Sequence, residues 1–237
     1  MAVCVQFSAT KQGKSGQFAR KDKTSIWRQS MRKKMVWFAG LATAVITVLA
    51  ACATGGSGEW DFRWEEDGDG VRITSYWGET TDVMIPPQIR GKTVVSIGAG
   101  AFLGGKYVDE LRRHRPKLTS VVIPDSVISI GQDAFRSNQL TSVVIPDSVT
   151  SIGQDAFRNN QLASVVILDS VTSIGMSAFR ENQLASITMG NNVTSIDYGA
   201  FKDNQLASVT IGNGVTSIRH EAFLNNRLVF RPIQTTE

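Results

Sequence analysis

Apolar residues recur along residues 118–227 with a period of 22. Leu118, Leu140, Leu162, Leu184 and Leu206 open five copies, and Leu228 begins a sixth. In the copy that starts at Leu140, Val143 and Ile145 flank Val144, an alternation of two that predicts a short strand, and Pro146 ends it. Val149 and Ile152 mark a second inward edge, and Ala156-Phe157 a brief helical turn that closes the copy. Phe135, Phe157, Phe179, Phe201 and Phe223 repeat that last position. One copy cannot bury enough apolar surface to offset the ordering of its backbone, roughly 1–2 kcal/mol per residue. Neighbouring copies must share their interiors, so the period predicts a solenoid whose stacked strands pair in parallel.

Asn138, Asn160, Asn182, Asn204 and Asn226 each stand three residues after a Phe of this column. They are either a buried ladder, with each amide serving turn backbone in its own and the adjacent coil, or exposed loop positions. Their constancy favours the ladder, because buried donors are constrained and surface loops drift. Upstream, Trp60, Phe62 and Trp64 alternate with charged residues, and Glu65-Glu66-Asp67-Gly68-Asp69-Gly70 reads as a turn. Val71, Ile73 and Ser75 then alternate again. Residues 59–80 are therefore predicted to be a β-hairpin with an aromatic face that caps the first coil. Asp67 and Asp69 do not make a calcium loop: counted from Glu65, the twelfth position, which needs an acid, is Tyr76.

The net charge of +4 is unevenly distributed. Residues 1–51 hold nine Lys/Arg and one Asp; residues 52–237 hold sixteen Lys/Arg and twenty Asp/Glu. The repeat region is thus mildly acidic, which argues against nucleic acid as a partner. Met31-Arg32-Lys33-Lys34 is a basic start, an apolar run follows, and Leu49-Ala50-Ala51-Cys52 places small residues before a cysteine. This is the order of a secretory signal. Its exit resembles a bacterial lipoprotein lipobox. That resemblance implies 31–51 as a signal peptide, cleavage before Cys52, diacylglycerol on the Cys52 thiol, and 52–58 as a flexible tether. The alternative, an uncleaved membrane helix over residues 35–51, has only 17 residues, the short limit for a span. Ala53 in place of Asp favours the outer membrane or cell surface over the periplasmic face. A signal rarely begins thirty residues into a chain, so Met31 is expected to be the start and residues 1–30 an upstream extension. Cys4 and Cys52 are the only cysteines, so no disulfide framework lies beyond Cys52.

The pattern L-x-S-V-x-I-P-x-S-V-x-S-I-G-x-x-A-F-x-x-N resembles the BspA-like, or Treponema-type, leucine-rich repeat. Val71-Arg72-Ile73, Met84-Ile85-Pro86, Val94, Ile97-Gly98 and Ala101-Phe102 extend the match, so it covers about 71–230. Asn stands where that family commonly has Cys after A-F-x-x, and Asp197 and Arg219 replace the Gly after Ile. The resemblance implies a leucine-rich-repeat solenoid over 81–230, β-rich, with short parallel strands, brief helical turns and the N-terminal hairpin cap. It also implies a secreted or surface-anchored protein that binds host matrix or cell-surface proteins or glycans. A structural or assembly component of the envelope, without external ligand, is the alternative.

Strand positions facing away from the core form columns that could carry such binding. Candidates are Ser142, Val144, Asp147, Ser164, Val166, Asp169, Ser186 and Thr188. Repeated small residues suit an extended partner, where weak contacts add; solvated strand residues are the equal alternative. A basic column, Arg136, Arg158 and Arg180, could meet anionic glycan or be paired with Asp133 and Asp155. An 11-residue excess between Phe102 and Leu118 puts an insert at 103–117, where Arg112, Arg113 and Arg115 are further candidate contacts. A mobile, solvated loop is the alternative reading of that insert. The two histidines, His114 and His220, sit in no metal, nucleophile or phosphate-loop spacing, so neither an enzyme nor a cofactor is expected. After Leu228 the chain runs through Arg231-Pro232 into a 231–237 tail. Those residues blunt the last edge strand, or the open end invites self-association, or the array is truncated.

Overall fold

The computed structural model describes residues 58–105 and 115–228. The expectations for residues 1–30, the signal at 31–51, Cys52, the tip of the insert and the 231–237 tail fall outside the described residues. A short 3-10 turn, Glu59–Asp61, leads into β1 (Phe62–Asp67) and β2 (Gly70–Tyr76), an antiparallel pair joined by Gly68-Asp69. The hairpin turn is tighter than its acidic run suggests, because Glu65, Glu66 and Asp67 remain in register with Arg72, Val71 and Gly70. Trp60 lies in the 3-10 turn rather than on the strand, so of the alternating aromatics only Phe62 is fully buried.

Short strands follow at each edge of the coils: β3 (Asp82–Met84), β4 (Gln88–Ile89), β5 (Lys92–Ile97), β6 (Ser120–Val122), β7 (Ser129–Ile130), β8 (Ser151–Ile152) and β9 (Ser164–Ile167). The last coils add β10 (Ser173–Ile174), β11 (Ser186–Met189), β12 (Ser195–Ile196), β13 (Ser208–Thr210) and β14 (Ser217–Ile218). One sheet runs β1-β2-β5-β7-β8-β10-β12-β14, with β4 joined to β5. From β2 onward the neighbours along this path are parallel. Its register steps by one repeat, Ile130 to Ile152 to Ile174 to Ile196 to Ile218. The insert sits inside one step, since Ile97 pairs with Ile130.

Three residue types hold this edge. Gly153 has no room for a side chain, because a Cβ there would lie 2.7 Å from the backbone of Gly131 in the previous coil. Asn160 is buried: its Oδ1 accepts the Leu140 N–H at 3.1 Å, and its Nδ2 donates to Phe135 O at 2.9 Å and Phe157 O at 3.1 Å. Asn138, Asn182 and Asn204 repeat the arrangement, so the ladder reading is the one the coils adopt. The phenylalanines stack face to face, with centroids 5.0 Å apart from Phe102 to Phe135 and 5.6 Å from Phe201 to Phe223. Phe62 and Tyr76 extend this aromatic spine into the hairpin.

The expected helical turn at Ala156-Phe157 is instead a tight turn. Asp155 and Asn159 take positive φ, 53° and 57°, and a helix cannot pass through left-handed residues. The reversal aims alternate N–H groups at the next coil: Asp155 donates to Met176 O, Phe157 to Ala178 O and Asn159 to Arg180 O, at 2.8–2.9 Å.

Candidate ligand face

The opposite wall of each coil carries the proposed contact columns. In β9, β11 and β13, Val165, Ile167, Ile187 and Met189 point into the core, which leaves Ser164, Val166, Ser186, Thr188, Ser208 and Thr210 facing out. The parallel register aligns Ser164 with Ser186 and Ser208, and Val166 with Thr188 and Thr210. Below them Asp169 Oδ1 accepts the Asn191 N–H at 2.6 Å, and Asn191 Oδ1 accepts that of Asn213 at 3.2 Å. The acidic column therefore turns into a backbone-bound ladder toward the last coils.

This wall is not one sheet. Among the described residues β3 pairs only with β6, and β9, β11 and β13 form a separate ladder. Residues 142–145 between them belong to neither, which departs from the continuous parallel sheet expected. Proline alone does not make the gap, since Pro86 and Pro124 stand at the position of Pro146 and β3 and β6 still pair. At the break Ile145 stays buried, Val143 is half-buried, and Val144 is 63% exposed between the half-buried Val122 and Val166. Ser142 is half-buried and Asp147 exposed.

The basic column has company. Arg136 pairs with Asp133 at 2.9 Å; Arg158 with Asp155 at 3.3 Å and Glu181 at 3.1 Å; Arg180 with Asp203 at 3.0 Å and Glu181 at 3.2 Å. Lys202 closes the series on Glu221 at 2.5 Å. Hydrogen bonds from Lys202 and Tyr198 hold the Glu221 carboxyl below the ordinary carboxylate range, whereas the same contact with Glu221 raises the Lys202 ammonium. These cations are committed to carboxylates of their own and adjoining coils, which favours the paired alternative over an open anion-binding stripe. Arg115 is not the exposed contact its basic surroundings suggest. It is buried, donating to Gly100 O at 2.6 Å and to Ser75 Oγ, and it secures the point where the insert rejoins the coils. Desolvation lowers its pKa. Arg112 and Arg113 lie outside the described residues.

Sequence reasoning missed a feature at the hairpin end. Trp60, Trp64, Arg63, Arg90 and Glu59 surround a shallow cavity of about 220 Å³ floored by the buried Phe62 and Ile89. The available signal was three tryptophans within residues 60–77, interleaved with arginine.

Comparison with known proteins agrees with this geometry. Residues 113–229 match six copies of the BspA type leucine-rich repeat region, and the repeat region of this chain belongs to that family. The pneumococcal vaccine antigen PcpA is similar in structure, with a TM-score of 0.57 and 21% identity over 70% of this chain and 46% of that one. A leucine-rich cell surface protein from Faecalibacterium prausnitzii gives a TM-score of 0.53 and 25% identity over 73% of this chain and 54% of that one. A Treponema pallidum leucine-rich repeat protein gives a TM-score of 0.47 and 26% identity over 69% and 81%. The chain spans about half the length of the first and second of these structures. No curated protein matches.

Proposed function

We propose that this protein is held on the cell envelope through an acylated Cys52 and binds a host matrix or cell-surface protein or glycan along its repeat wall. The observation that carries the reading is the outward column set, Ser164, Ser186 and Ser208 beside Val166, Thr188 and Thr210, each in register with the next coil. Small side chains repeated at strand-stacking distance let an extended partner lie close to several coils at once, and the weak contacts of each coil add. Val144 supplies an exposed apolar point at the break in that wall. The cell-surface description of the Faecalibacterium protein is consistent with an outward-facing role.

Three measurements test this. Metabolic labelling with a radioactive fatty acid should mark the full chain and not Cys52→Ser, and surface proteolysis of intact cells should release the repeats. A Val144→Glu variant should weaken binding to an immobilised matrix-protein panel by about tenfold, roughly 1.4 kcal/mol. A protein that resists shaving, or one whose binding is indifferent to Val144→Glu, speaks for the internal envelope component instead.

A further inference from the structure

The hairpin end carries a second surface, distinct from the wall, whose chemistry is unlike the rest of the molecule. Trp60 is 82% exposed and lines the 220 Å³ cavity with Trp64. The Arg90 guanidinium sits between them, 5.6 Å from the Trp60 ring centroid and 5.8 Å from that of Trp64. Arg63 lines the same cavity and lies 4.3 Å over the Trp77 ring. Neither guanidinium has a carboxylate partner among the described residues, whereas Arg72, Arg136, Arg158, Arg180 and Arg219 all do. Stacking on indole fixes each planar group while leaving its N–H fork free for a planar anion.

The backbone supplies an independent sign. Arg90-Gly91 joins β4 to β5 in a two-residue turn, Ile89 pairing with Lys92, with φ of 49° and 79°. Such a turn strongly prefers Asn-Gly. Arginine is an unfavourable choice at its first position, so the turn itself does not account for this side chain. Here it aims Arg90 at the two tryptophans.

We infer that this cavity binds a carboxylate-bearing saccharide. An exposed indole offers a flat apolar platform for the C–H face of a sugar ring, the apolar floor is shallow enough for one ring, and Arg90 and Arg63 supply paired donors for a uronate carboxylate. Glu59 on the rim is placed to accept from sugar hydroxyls. The site uses no residue of the repeat wall, so it stands if the wall binds nothing, and the wall reading stands if this site is empty of function.

Isothermal calorimetry on the full chain tests it, with a hyaluronan tetrasaccharide as probe and chitotetraose as the uncharged control. The acidic probe should bind saturably and the neutral one at least tenfold more weakly. Arg90→Asn should lose at least tenfold in affinity while its thermal midpoint holds or rises, because Asn suits the turn better. Trp60→Ala, at an exposed position, and Arg63→Gln should do the same without unfolding. No saturable binding of the acidic probe, equal binding of the neutral one, or full affinity in both Arg90→Asn and Trp60→Ala overturns the inference.

Discussion

Each coil has two stacked edges, and they behave differently. Along the Ser-Ile edge the ladder passes unbroken from β2 to β14, across an insertion and through every described coil. Along the outer wall the same coils stack on the same core, yet the ladder stops at residues 142–145 and restarts at β9. The edge is held by three recurring residue types, although Asp197 and Arg219 take the glycine position in the last two coils. Glycine approaches the previous coil at distances that exclude a side chain, asparagine spans two coils with four hydrogen bonds, and phenylalanine stacks on both neighbours. The wall asks only for alternation, with an apolar residue inward and anything small outward, and it tolerates proline. Cohesion resides on one side of the coil and variability on the other, a useful division for a binding scaffold.

Substitutions can break or sharpen that contrast. The largest expected effect is Phe157→Ala, which removes a fully buried ring stacked on two others and should cost about 3–5 kcal/mol in denaturant unfolding. Asn160→Ala should follow at about 1–3 kcal/mol, since it orphans the buried Leu140 N–H, while Phe135 O and Phe157 O keep the amides of Asn138 and Asn182. A change below ~0.5 kcal/mol would show that the ladder does not hold the edge. Gly153→Ala should cost about 1–3 kcal/mol through backbone displacement, and hydrogen exchange should show the loss concentrated in adjoining coils.

A smaller effect is expected in the last described coil. The folded Glu221 carboxyl titrates below its usual 4.5, so its contact with Lys202 contributes stability above that pH and loses it as acid protonates the folded group. Melting curves between neutral and acid pH should therefore converge for Glu221→Gln and the parent at the acid end. The smallest effect is on the wall: Val144→Ser, at a 63% exposed position in no ladder, should move the thermal midpoint by under about 0.5 kcal/mol equivalent. A large loss there would erase the distinction between the two sides.

The period of 22, the inward Leu, Val, Ile and Phe columns and the buried Asn ladder were legible in the sequence because each leaves a repeated chemical signature. The break at 142–145 was not, since Val143, Val144 and Ile145 alternate as a paired strand would, and missing rungs depend on neighbouring coils. The turn at Ala156-Phe157 read as helical because Asp155 and Asn159 are ordinary turn formers, and their left-handed φ appears only once alternate N–H groups must reach the next coil. Pairing of Arg136 and Arg158 with Asp133 and Asp155 was legible at three-residue spacing, whereas the cross-coil partners Glu181 of Arg158 and Asp203 of Arg180 lie 23 residues away. Arg115 read as part of an exposed basic run, although its side chain turns inward to meet Ser75, forty residues earlier. The Trp60, Trp64 and Arg90 grouping was hidden for the same reason, since Arg90 joins it only through the β4–β5 turn.

The pairing of Ile97 with Ile130, 33 residues apart where every later step is 22, shows that the array counts coils rather than residues. Chain length can therefore be added at that bend without disturbing the neighbours, because closing a longer excursion costs little more than a short one. With the positive φ of Gly105 on the way out and Arg115 fastening the return, the bend is a ready graft point for a foreign loop.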